Sequence, residues 1–359
     1  MKCDRCEEQA AIEVRHERAA FCPACFVQRC RDQVRAAIDQ HRMIHPGERV
    51  LVAVSGGKDS LAVWDLLLDL GYEADGVYLG LGIGGYSDRS GDCARAFAER
   101  RGVRLIEVDI AAEAGFTIPQ ASRTKRTPCS ACGLTKRHLL NKVTLEHGYD
   151  VLVTGHNLDD EAAVLFGNTM QWNMPYLARQ RPALPESPGF ARRVKPLVRL
   201  TERETAAYCV IRRIDYILEE CPMAAGNRHL MYKELLNSLE ERAPGSKATF
   251  LNGFFERQAP LLADLAEEER GTVGTCSRCG SPTTAEVCAF CRLRDQATRP
   301  PRRHKKRRRS RPAAGGATTN GGAANGTPPE AGAQQPAPEA PVPDGARLLP
   351  IEPVPAEPR

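Results

Sequence analysis

The sequence has no apolar run near the roughly 20 residues that a membrane-crossing helix needs; stretches such as 51–54 and 66–68 stop almost at once. Its opening, MKCDRCEEQA, contains no apolar segment of the kind a secretory leader carries, so a cytoplasmic setting is expected and no membrane partner. GxxxxGK[ST] is also absent, which sets aside the usual γ-phosphate chemistry of kinases and P-loop hydrolases. The body of the chain is short of net charge. The formal total is +5, but residues 299–359 hold 11 Lys+Arg against 5 Asp+Glu, leaving the first 298 near −1. Overall charge therefore says little about polyanion binding by the folded part. What remains, 42% hydrophobic and 26% charged over 359 residues, is the balance of a soluble globular protein of two or three domains.

Cysteine, in contrast, is abundant. Fourteen in a reducing compartment do not suggest disulfides. Ten fall into five CxxC pairs, at Cys3/Cys6, Cys22/Cys25, Cys129/Cys132, Cys276/Cys279 and Cys288/Cys291, which points to metal. The first two pairs and the last two each supply four thiolates in two knuckles, the pattern of a tetrahedral structural zinc. Neither fragment has enough apolar residues to fold without its ion. Cys30, Cys93 and Cys209 fit no spacing and read as small core residues.

The chain divides into an N-terminal zinc module (1–28), a linking helix (29–47), an α/β region (48–220), a helical stretch (221–271), a second zinc module (272–298) and a tail (299–359). In the α/β region, strands over 50–54, 76–81, 104–108 and 151–154 alternate with helices over 59–70, 88–101, 132–147 and 158–172. That alternation predicts βαβ units and a parallel sheet covered on both faces. A short strand is expected around Val198, then a helix opened by the capping box 201–204, and a strand-like run over 216–218. The tail, basic over 302–309 and then Pro/Ala/Gly-rich, reads as disordered, with a basic block suited to any polyanion.

Ser55-Gly56-Gly57-Lys58-Asp59-Ser60 stands at the turn from the first of these strands into its helix. Glycines let the backbone approach a phosphate, the helix N-terminus offers free N–H groups, and Ser55, Ser60 and Lys58 add donors and charge. The motif resembles the PP-loop of ATP pyrophosphatases, which split ATP into AMP and pyrophosphate while adenylating a carbonyl oxygen. A second turn, 154–163 (TGHNLDDEAA), also leaves a strand for a helix and can face the first at the carboxyl edge of the sheet. There Gly155 permits close approach. Asp160 either holds Mg2+ and orients the nucleotide or, with Asp159, merely complements the helix terminus.

Cys129 and Cys132 share one face at a helix start, where the terminus favours thiolates and Lys136 and Arg137 follow one turn on. Cys221, before Pro222, can bring a third thiolate. Three readings stay open on spacing: a [4Fe-4S] cluster with one iron free, a persulfide-forming catalytic pair, or a structural zinc.

SGGKDS, PCSACG, GHNLDDEAA and a distant CP, flanked by two four-cysteine modules, resemble the two-zinc-finger branch of tRNA 2-thiolation enzymes, most of all the TtuA-type 5-methyluridine-54 2-sulfurtransferases. The likeness spans about residues 1–293. It implies a PP-loop, adenine nucleotide alpha hydrolase-like (Rossmann-like) fold and a [4Fe-4S] cluster on Cys129, Cys132 and Cys221. It further implies ATP contacts at Ala53, Val54, Ser55, Asp59, Tyr78, Lys136 and Gly155, and catalytic roles for Lys136 and Asp160. The implied reaction adenylates the uridine C2 oxygen and then replaces it with sulfur, releasing AMP and pyrophosphate. Implied cofactors are ATP, Mg2+, the cluster and two Zn2+; implied partners are tRNA, a ubiquitin-like thiocarboxylated sulfur donor and a second copy of the chain. The zinc modules either seat tRNA through arginines such as Arg5 and Arg278 or only brace the termini. Alternatives are a cluster-free persulfide thiolase, modification of uridine 34 or cytidine 32, and a zinc-stabilised RNA-binding protein without activity.

Overall fold

Apolar residues at every position of 50–54, and at all but the last of 151–154, suit strands buried on both faces. In the computed structural model, which describes residues 1–224, 226–262 and 273–299, both spans form central strands. The chain begins with the hairpin β1 (Ile12–Val14) and β2 (Ala19–Phe21), followed by α1 (Pro23–His41). Then β3 (Val50–Val54) leads into α2 (Lys58–Asp69), β4 (Ala74–Gly80) into α3 (Gly84–Arg101), and β5 (Leu105–Asp109) into the short α4 (Ile110–Ala114) and α5 (Ile118–Ala121). Next come α6 (Pro128–Glu146), β6 (Val151–Thr154), α7 (Leu158–Met170) and α8 (Met174–Arg179). β7 (Ala183–Leu184) and β8 (Arg192–Val194) precede α9 (Glu202–Ile211), α10 (Arg228–Arg242) and α11 (Ser246–Gly253). β9 (Gly274–Thr275), β10 (Pro282–Thr283) and a last helix, α12 (Ala289–Ala297), complete the described elements.

The main sheet has the order β5-β4-β3-β6-β8-β7 and is parallel except for the edge strand β7, which runs against β8. The chain winds outward from β3 through β4 to β5 and then returns to the other side of β3 with β6. That reversal opens a crevice at the carboxyl ends of β3 and β6. Alternate side chains feed two apolar layers. Val50, Val52, Val153 and Trp64 join Phe21, Phe26 and Cys22 of the N-terminal module. Leu51, Val77 and Leu152 join Phe290, Leu293 and Cys291 of the C-terminal one. Each cysteine module is thus packed on its own face of the sheet. Among the described residues no helix is long and apolar enough to cross a membrane.

Three expectations need correction. Pro196–Arg199 is a 3-10 turn, and the strand lies just before it at β8, because the register with β6 ends at Val194. Residues 216–218 join no ladder; Ile217 N–H instead donates to Gly56 C=O at 3.0 Å, Tyr216 packs against the core and Leu218 is exposed. Cys30 and Cys209 are fully buried, but Cys93 is only partly covered. The capping box at Thr201 and Glu204 is present. The basic block 302–309 and the rest of the tail beyond Arg299 lie outside the described residues, as does part of the helical stretch, 263–272.

Candidate active site

β3 delivers residues 55–60 onto the start of α2, where the first N–H groups have no partner within the helix. Gly56 has φ +75°, and a Cβ there would stand 2.1 Å from Ser90 O, so only glycine lets the loop pass α3. The Ser60 hydroxyl accepts from Ser55 N–H at 3.1 Å and donates to Gly57 C=O at 2.8 Å, which sets the turn.

Across the crevice, Asn157 caps α7 in a reciprocal box with Asp160 at 3.0 and 3.1 Å. Its Nδ2 also donates to Asp59 Oδ1 at 3.1 Å, joining the two motifs. A Cβ on Gly155 would lie 2.8 Å from the backbone of Asp59 and Ser60, so this glycine allows the close approach. Lys58 Nζ reaches Asp59 at 3.1 Å and Glu202 at 2.7 Å; Lys233 Nζ reaches Glu202 at 3.1 Å and Asp160 at 2.6 Å. The pairs close into a ring through Asn157. Burial on its own would lower the Lys58 pKa, but Asp59 and Glu202 outweigh it and hold it above the ordinary lysine value. Burial likewise works against the Asp160 carboxylate, yet Lys233 and His156 keep its pKa below the usual range. Asp160 caps the helix, as the second reading of the acidic pair has it, and also belongs to the ring, while Asp159 pairs with Lys247.

Ala53, Val54, Ser55, Asp59, Tyr78, Lys136 and Gly155 line one cleft of about 500 Å³, together with Gly57 and Ser60. Gly56, Lys58 and Asp160 are not part of its wall. The Tyr78 hydroxyl is turned away from solvent and donates to Ser87 C=O at 2.5 Å. Arg137, Arg193 and Lys195 join Lys136 in the wall, and no motif marks Arg193 or Lys195. The run Arg192–Lys195 was the available signal. Burial, and then the nearby Arg137, lower the Arg193 pKa, so the cleft crowds like charges that an anion would relieve. Lys233 and Glu202 were missed as well; nothing local marks them, since their partners are distant in sequence.

Cys129 lies in the first turn of α6, behind the Thr127 cap, and Cys132 one turn on. The Cys129 thiol donates to Met223 C=O at 3.7 Å and accepts from Asn227 Nδ2 at 3.7 Å, which places the loop after Cys221 over it. The expectation that the helix terminus would depress these thiols does not hold. Burial raises both pKa values, the charges of neighbouring cysteines including Cys221 add to it, and Lys136 only pulls the other way. Tyr86, on the cleft wall, feels Cys221 and Cys132 too, so the thiols and the cleft adjoin.

The terminal quartets are tighter. All four sulfur atoms in each lie within 4.8 Å of one another, with Cys6–Cys22 at 3.5 Å and Cys279–Cys288 at 3.6 Å. Tetrahedral Zn–S bonds of about 2.3 Å require sulfurs roughly 3.8 Å apart, so the donor sets fit that ion. Cys22 and Cys288 each cap a helix and accept from the N–H three residues on. Among the described residues the three central cysteines form no such tight group.

Residues 2–27 match the family described as 2-thiouridine synthetase TtuA, N-terminal LIM domain. The chain is 50% identical over 300 residues to the tRNA-5-methyluridine(54) 2-sulfurtransferase of Thermus thermophilus, covering 83% of this chain and 92% of that one. It is 39% identical to the Pyrococcus horikoshii protein of the same name, covering 82% and 93%. Among solved structures it resembles the U34-tRNA thiolase NcsA from Methanococcus maripaludis with its [4Fe-4S] cluster. There the TM-score is 0.69 and the identity 27%, with 82% of this chain and 95% of that one covered.

Proposed function

This chain belongs to the TtuA-type tRNA 2-sulfurtransferases, and from that premise we propose that it adenylates a tRNA uridine at the 55–60 loop and exchanges the activated oxygen for sulfur. It is an enzyme that thiolates tRNA. Position 54 is the site we assign, after the relatives at 50% and 39% identity.

ATP phosphates lie against the α2 N-terminus and the Ser55 and Ser60 hydroxyls, with adenine against the wall of Ala53, Val54 and Tyr78. The uridine C2 oxygen attacks the α-phosphate, pyrophosphate departs, and C2 becomes electrophilic. Lys136, Arg137 and Arg193 balance charge on the phosphates, and Lys136 does so again as AMP leaves. Asp160, held by Lys233, acts on the nucleotide or its Mg2+ through Asn157, which joins it to Asp59 in the cleft wall. Cys129, Cys132 and Cys221 are assigned to a [4Fe-4S] cluster, which when bound supplies sulfide at the iron that no cysteine holds. The terminal quartets are assigned one Zn2+ each. We retain the six-part division of the chain, the ubiquitin-like thiocarboxylated donor, the dimer and the cytoplasmic setting as parts of this reading.

The observation that carries it is the adjacency of a cation-walled cleft to three partly buried thiols, since Gly133 and Lys136, beside Cys132 on α6, line that cleft. Anaerobic purification with iron, sulfide and zinc analysis tests it. About four irons and four sulfides with about two zincs are expected per chain, and the iron is expected to vanish in Cys129→Ala. Zinc without iron after attempted reconstitution would move the assignment to persulfide transfer.

A further inference from the structure

Residues 162–200 carry six Lys+Arg and one carboxylate, Glu186, although the first 298 residues together are almost neutral. Arg193 and Lys195 of this segment line the cleft, and so does Val164 on α7. About 9 Å beyond Val164, at 1.5 Å per residue, the helix ends and the chain turns through Trp172 into α8.

Trp172 has φ +47°, a region that glycine enters freely and a bulky aromatic does not. Its N–H donates to Thr169 C=O at 3.0 Å and that of Asn173 to Asn168 C=O at 2.9 Å, a helix ending that ordinarily carries glycine at this place. The ring is 74% exposed, so burial does not compensate for the backbone conformation. Tyr176, 59% exposed, follows four residues later, with the Arg179 guanidinium 5.5 Å from its ring centroid. The turn is braced from beneath, since Asn168 donates to Gln180 Oε1 at 3.2 Å and Gln180 to Glu161 C=O at 2.9 Å.

We propose that Trp172 and Tyr176 form a stacking platform for unpaired bases of the RNA substrate, with Arg179, Arg181 and Arg193 of β8 holding its phosphates. The inference rests on tRNA thiolation and adds the surface that presents the RNA. Exposed aromatic faces stack on any base, and a loop base must leave its stack to reach an enzyme. A second copy of the chain would also cover apolar rings. Arg192 pairs with Glu48 and Lys195 with Glu161, but among the described residues Arg179, Arg181, Arg193 and Arg199 meet no carboxylate, and four such cations repel an identical surface and attract a polyanion.

The chain has two tryptophans, and Trp64 is fully buried with its N–H bonded to Ala74 C=O at 2.8 Å, so quencher-accessible emission reports Trp172. Saturating the full-length, metal-loaded protein with unmodified tRNA is expected to shield that emission from acrylamide, whereas heparin leaves it accessible. Trp172→Gly, which suits the backbone, is expected to unfold no earlier than wild type yet raise KM for tRNA about tenfold or more, with kcat moving less; Trp172→Phe restores most of the loss. Unchanged acrylamide access at saturating tRNA, or a wild-type KM in Trp172→Gly, overturns the platform and leaves the thiolation reading standing. Failure of wild type to bind tRNA or release AMP with it overturns both. Shielding of Trp172 in a protein dimer without RNA assigns the surface to a second copy and overturns the platform alone.

Discussion

Lys233 and Asp160 show how one side chain sets the chemistry of another. Without the ammonium at 2.6 Å, the half-buried Asp160 would keep its desolvation and lose its largest stabilising charge. Lys233→Met is therefore expected to lift the Asp160 pKa above the ordinary value of about 3.9, read by carbon-detected NMR, and to move the acid limb of kcat/KM to higher pH. An unmoved Asp160 resonance would show that Lys233 is not what holds it. In wild type the sign is the usual one for a depressed carboxylate. Its contribution to stability is complete above about pH 4 and is lost as pH falls through the lowered pKa. The ring from Asp59 through Lys58, Glu202 and Lys233 also accounts for a lysine that the motif alone would aim at a phosphate. In this structure its charge is answered by carboxylates.

Elements are locked together by buried charge as well as by apolar packing. Arg29 on α1 makes two bonds to Glu17 of the N-terminal module, at 2.8 and 2.7 Å, and meets Glu204 of α9 at 2.7 Å. Both Arg29 and Glu204 are almost wholly buried. Arg29→Met is expected to destabilise the fold by about 3–5 kcal/mol, because Glu204 is left as a buried charge without its partner. Denaturant unfolding of the metal-loaded protein measures this, and a loss under about 1 kcal/mol would mean that water reaches Glu204. The strands over 50–54 and 151–154 were readable because short apolar runs bounded by turn residues suit a doubly covered parallel sheet. The 216–218 run was misread by the same logic. Its backbone bonds to the phosphate loop at Ile217, and among the described residues it pairs with no strand.

At the scale of the whole molecule, the two cysteine modules occupy opposite faces of the sheet, and the C-terminal one braces the helix that carries Cys129, Cys132 and Lys136. Phe290 of α12 stacks on His138 of α6 with centroids 3.8 Å apart. Burial, and then Lys142 and Arg294, push the His138 pKa down to about 4. A histidine kept neutral in the fold stabilises it fully above its ordinary pKa of about 6.5, and the contribution fades as pH falls toward 4. Acidification through that window is expected to raise hydrogen exchange in α6 and α12 together, and His138→Phe to remove this dependence. Exchange that rises in α12 alone would uncouple the module from the helix.

The chemical types were legible in the sequence: a glycine loop between strand and helix, thiol pairs at metal spacing, alternating βαβ units. These depend on neighbours within a few residues, where chain geometry leaves little choice. The direction of Lys58, the rise rather than fall of the thiol pKa values, the arginines of β8 in the cleft and the exposed ring of Trp172 were decided by tertiary packing. Each depends on groups brought from far along the chain and on the water they exclude, and spacing encodes neither.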